Sequence, residues 1–118
     1  GGLCAFYGDE QSSRAVASAY ELASGLYLFN AEQNPIAYDF NSAFSVHQGK
    51  CIFREPTINI ISEEINFVAH LAGKYNASGS ITISDVVYQN LSERFNRSYM
   101  LDGIFEGRKV YRFSFPSV

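Results

Sequence analysis

Tyr99-Met100-Leu101-Asp102-Gly103-Ile104-Phe105-Glu106-Gly107-Arg108-Lys109-Val110-Tyr111-Arg112-Phe113-Ser114-Phe115 is the stretch that decides the fold class. Tyr99, Leu101 and Phe105 alternate with Met100, Asp102 and Ile104. Beyond Glu106-Gly107-Arg108, the rings of Tyr111, Phe113 and Phe115 alternate with Arg112 and Ser114. Period-2 alternation on both sides of a Gly-containing loop predicts a β-hairpin, aromatic on its inner face and polar on its outer face.

Upstream, Ser84 and Asp85 open a helix that turns Val87, Tyr88, Leu91 and Phe95 inward, and Ser80 to Ile83 is a short extended piece before it. Ser62 caps an earlier helix. Glu63 and Glu64 complement the positive end of its dipole, and Lys74 complements the negative end. Its apolar face is expected to be Ile65, Val68, Ala69, Ala72 and Tyr75, with Glu63, Asn66, His70 and Lys74 opposite. Near the start, Ser12 or Ser13 caps a helix with apolar positions Ala15, Val16, Ala19, Tyr20 and Ala23, stopped after Ser24 by Gly25. Strands are expected at Leu3–Tyr7, Leu26–Phe29, Ile36–Phe40 and Lys50–Arg54, the last interrupted by Pro56. A turn is expected at Ala31–Pro35, and a looser segment spans Asn41–Gly49. Thr57–Ile61 fits a strand or a helix entry. Helices and strands mixed without regular βαβ alternation give α+β: about three helices packed on a mainly antiparallel sheet with a C-terminal β-hairpin.

A chain of 118 residues, 47% hydrophobic and 18% charged, has the length of one domain over 1–118 and is not disordered. Ten Phe and eight Tyr with no Trp point to a ring-built core, and rings also anchor interfaces. The net charge of −3 weighs against a dedicated polyanion binder. The charge is uneven, however. Residues 1–84 carry four basic and eight acidic side chains, and 85–118 carry five basic and four acidic ones. No stretch has the length of apolar sequence that a membrane span needs, and no secretory leader pattern opens the chain. Cys4 and Cys51 lack CxxC spacing and read as reduced, buried thiols of a cytoplasmic protein. Three Asn-x-Ser sequons, at Asn76, Asn90 and Asn96, keep secretion as the alternative.

Chemistry-bearing patterns are sparse. A nucleophilic site would need Cys4 or Cys51 beside His47 or His70, with a carboxylate such as Asp39 to orient the ring. Glu63 and Glu64 diverge on a helix, and two histidines without paired spacing make no metal site. There is no phosphate-binding Gly motif. No catalytic, cofactor or metal residue is therefore assigned, and no cofactor is expected. The expected function is a non-catalytic interaction module acting through protein–protein association, with a second copy or another protein as partner, because a hairpin edge must be covered or paired.

Two resemblances accompany this reading. Leu71-Ala72-Gly73-Lys74-Tyr75-Asn76-Ala77-Ser78-Gly79 is similar to the LAGLIDADG signature of homing endonucleases. Asn76 and Ser78 stand where that motif has aspartates, so the resemblance implies a relative without the metal-binding acid. Residues 62–115, read as helix, strand, helix and hairpin, resemble the order in winged-helix domains. That resemblance implies a nucleic-acid-binding protein in which Arg108, Lys109 and Arg112 contact the polyanion. A small enzyme or ligand carrier with an aromatic pocket is the third alternative.

Overall fold

A computed structural model describes residues 6, 8–32, 43–49, 52–54, 59–61, 63–75 and 80–114. Apart from Phe6, the strands expected at 3–7 and 36–40 lie outside them. So do Cys4, Cys51, Pro56, the Ser62 cap, the Asn76 sequon and Phe115.

The fold is α+β. Helix α1 (Gln11–Glu32) is followed by strands β1 (Phe44–Val46), β2 (Ile52–Arg54) and β3 (Asn59–Ile61). Next come helix α2 (Glu63–His70), which continues as a π-helical turn over Leu71–Tyr75, and strand β4 (Ser80–Ser84). Two short helices, α3 (Asp85–Asn90) and α4 (Glu93–Asn96), lead into the hairpin of β5 (Met100–Phe105) and β6 (Arg108–Ser114). The main sheet is mixed, in the order β1-β4-β6-β5, with β1 parallel to β4 and the other pairs antiparallel. β2 and β3 form a separate antiparallel ladder. None of the described helices is long and apolar enough to cross a membrane.

Strand β4 organises the rest, because all five of its residues are buried. Its alternation separates two layers. Ile81 and Ile83 face α1 and α3, where they join Val16, Ala19, Ala23, Val87, Leu91 and Tyr99 in one core. Thr82 and Ser84 face the other way. On that side Phe67 and Leu71 of α2 pack on Val110, with Tyr75 and Phe105 at the margin. The Thr82 hydroxyl meets that of Ser45 at 3.3 Å, which satisfies a polar group far from water.

The hairpin forms as expected, and the reason is local. Phe105 pairs with Arg108 across a two-residue turn whose central residues, Glu106 (φ 49) and Gly107 (φ 79), both take the left-handed conformation. That geometry matches the twist of paired strands, and Gly supplies it at no steric cost. Glu106 is held by His70, whose Nδ1 lies 3.0 Å from its Oε1.

Four expectations are corrected. Gly25 does not stop α1, and Leu26–Phe29 is helical. An exposed Gly inside a helix costs only about 1 kcal/mol, and the buried stripe Ser12, Val16, Ala19 and Ala23 holds the helix to the sheet whatever Gly25 does. The looser segment contains β1, a strand fixed by its partner β4 rather than by its own pattern. The third helix breaks at Leu91–Ser92 into α3 and α4. Finally, α2 buries Phe67 and Leu71, while Ala69, on the expected face, is exposed. Two apolar stripes compete on this helix, and the one with larger side chains removes more surface from water.

Candidate functional site

The three hairpin cations do not converge. Along β6, Arg108, Val110 and Arg112 point to the α2 side, and Lys109, Tyr111 and Phe113 to the other. Arg108 lies between two carboxylates, 3.7 Å from Glu64 Oε1 and 3.6 Å from Asp85 Oδ1, with its guanidinium 5.5 Å from the Phe67 ring. Arg112 sits 3.1 Å from Asp102 Oδ2 and over the Tyr75 ring. Only Lys109 is exposed on the opposite face. Over 62–115 the order helix, strand, helix, hairpin is present, and the helix before the hairpin, α4, is four residues long.

A polar chain crosses the α2 layer. His47 follows β1 with a side chain 2% exposed, and its ring leans on Phe67 at 4.6 Å. Its Nδ1 is 2.7 Å from Ser84 Oγ, and its Nε2 hydrogen-bonds Glu64 Oε2. A carboxylate only accepts, so Nε2 carries the proton and, in the neutral ring, Nδ1 accepts from Ser84. Glu64 packs so closely over Gly49 that a side chain there would collide with it. Hydroxyl, imidazole and carboxylate in this order are what activates a nucleophilic serine. Here, however, Ser84 is 0% exposed. The neighbouring cleft of about 270 Å³ is bordered by Glu64, His70, Glu106 and Arg108 and includes neither Ser84 nor His47. The chain therefore ties β1, β4, α2 and β6 together and presents no hydroxyl to a substrate.

Sequence reading does not find these partners: it considers His47 only as one of two histidines that a cysteine nucleophile would need. The available signal was Ser84 at a strand-to-helix junction, where a hydroxyl is held at a fixed angle. Among the described residues, no group of three His, Cys, Asp or Glu side chains is placed to hold a metal ion.

The outward-looking feature is β5. It is the last strand of the sheet, paired only with β6 among the described residues. Three of its large side chains are exposed: Met100 75%, Leu101 59% and Ile104 71%. The expected polar outer face is absent because the period breaks. Leu101 pairs with Tyr111 and Gly103 with Val110, so Asp102 bulges out of the ladder. As a result Leu101 and Ile104 lie on the α3 side together, while Met100 and Phe105 lie on the α2 side. The stacked rings of Tyr88 and Tyr111, 3.8 Å apart, form the inner border of the Leu101 side. A cleft of about 470 Å³ adjoins this edge and is lined by Met100, Leu101 and Phe113 together with Ser98, Asp102, Arg112 and Ser114.

Comparison with known protein families, with curated proteins and with solved structures finds no match to this chain.

Proposed function

We propose that the protein acts by associating with another polypeptide along the outer edge of β5, which no other described strand pairs, as a binding module without catalytic chemistry of its own. The observation that carries this is the exposure of Met100 on one face and of Leu101 and Ile104 on the other, three large apolar side chains more than half exposed on the last described strand of the sheet. Sheet edges with such side chains are templates for an added strand: main-chain hydrogen bonds give affinity and flanking side chains give specificity. Charged residues are the usual means of blunting an edge. The one charge within β5, Asp102, is turned toward Arg112 and Tyr75.

The test is Ile104→Lys, which places a charge on the edge without touching either core. Sedimentation velocity on the wild-type chain should show species heavier than 13.2 kDa, or a complex with an added partner. The variant should lose that species and keep its circular dichroism. Association unaffected by the substitution would move the site elsewhere on the molecule.

A further inference from the structure

We infer that the strand added to β5 is β5 of a second copy, running antiparallel about a two-fold axis between Asp102 and Gly103. This rests on β5 being the association edge, and it adds the partner and the register.

Two observations carry it. First, the bulge makes β5 symmetric in its faces. The strand has six residues, and a two-fold through its midpoint sets Leu101 against Ile104 of the second copy and Met100 against Phe105. Residues directly opposite in an antiparallel pair share a face. Leu101 and Ile104 share the α3 side, and Met100 and Phe105 share the α2 side. Without the bulge, residues three apart such as Leu101 and Ile104 would face opposite ways, and this register could not set them opposite each other on one face. Second, the centre of the interface tolerates the approach. Asp102 would stand opposite Gly103, which has no side chain, and its carboxylate already has Arg112 at 3.1 Å and the Tyr75 hydroxyl at 2.5 Å. Two-fold pairing joins the two main sheets into one eight-stranded sheet, and an isologous interface closes at two copies rather than propagating.

The register is tested by charge complementation with the full chain. Leu101→Glu and Ile104→Lys should each weaken self-association about tenfold or more, since a charge then faces an aliphatic side chain. Mixing the two variants should restore a heterodimer, because the new carboxylate faces the new ammonium. In parallel, Leu101→Cys and Ile104→Cys in a Cys4→Ser, Cys51→Ser background should give a disulfide-linked dimer when mixed and little when oxidised separately. The outcomes separate the two levels of the claim. Self-association lost in both charge variants but not restored by mixing, or a 101–101 link, overturns the register and leaves the edge intact. Self-association indifferent to both variants overturns the edge itself. A wild-type chain that stays at 13.2 kDa at high micromolar concentration overturns the second copy and leaves β5 to a strand of another protein.

Discussion

The Tyr75 hydroxyl donates a hydrogen bond of 2.5 Å to Asp102 Oδ2, and so the π-helical end of α2 holds the residue that bulges from β5. The same hydroxyl lies where a Cβ on Gly103 would come within 2.7 Å. The Tyr75 ring is also fixed by Phe105 at 5.4 Å and by the Arg112 guanidinium at 5.6 Å. Burial, then the hydrogen bond to Asp102 and its charge, push the Tyr75 phenol above its ordinary value, against the opposing pull of Arg112.

Gly103→Ala should therefore destabilise by about 1–3 kcal/mol, the usual cost of overfilling a packed site. The damage should largely disappear when Tyr75→Phe removes the obstructing oxygen. A double-mutant cycle by urea denaturation measures this coupling. Additive single effects would show that Gly103 is required for another reason.

The buried phenol of Tyr99 gives an alkaline prediction. Loss of water around the ring raises its pKa well above the ordinary value near 10. The folded state then keeps a proton that the unfolded chain releases. The resulting stability is complete below about pH 10 and declines as pH rises toward the folded value. Urea midpoints of the wild type should fall from pH 9.5 to 11.5 (a range of experimental conditions, roughly centred on the free phenol), and Tyr99→Phe should fall less steeply. Parallel curves would mean that another group governs the alkaline limb.

His47→Ala removes the middle of the polar chain and leaves the Ser84 hydroxyl buried without its partner. A loss of about 2 kcal/mol is expected, as for one stranded buried polar group. Combining His47→Ala with Ser84→Ala should cost less than the sum, because the stranded hydroxyl is then gone. Thermal unfolding of the three variants provides the comparison.

The face of α2 can be checked directly. Leu71→Ala should cost about 2–5 kcal/mol, since Leu71 is 0% exposed in the second core. Ala69→Ser on the exposed side should change stability by no more than about 0.5 kcal/mol. Similar effects at both positions would restore the face of Ile65, Val68, Ala69, Ala72 and Tyr75 read from apolar spacing.

What could be read in the sequence was whatever local chemistry decides. Period-2 alternation on both sides of Glu106-Gly107-Arg108 marks the hairpin, and the structure tightens that loop to two residues, with Arg108 already in β6. The extended piece Ser80–Ile83 and the helix opened by Ser84 and Asp85 were legible from those two helix-starting residues, and the strand proves one residue longer. What could not be read depends on partners distant along the chain. β1 is a strand because β4 offers it hydrogen bonds. Gly25 is helical because Ala19 and Ala23 already anchor the helix. The burial of Phe67 rather than Ala69 reflects which stripe Val110 meets. At the association edge, Leu101 and Ile104 were visible as apolar letters, but their shared face was hidden because a single bulged residue inverts the alternation. The link from His47 to Ser84 and Glu64 joins three separate elements, and no spacing rule connects them.

The central position of β4 also sets the order in which the chain can assemble. Its neighbours come from both directions, as the contact between Ser45 and Thr82, 37 residues apart, and the pairing of Ile81 with Phe113 show. The β5–β6 hairpin, closed by a two-residue turn, can form within microseconds, whereas β4 must wait for distant segments to arrive. Until then the inner edge of β6 is as bare as the outer edge of β5. A refolding chain thus passes through an interval with two open strand edges, and recovery of native protein should fall as refolding concentration rises.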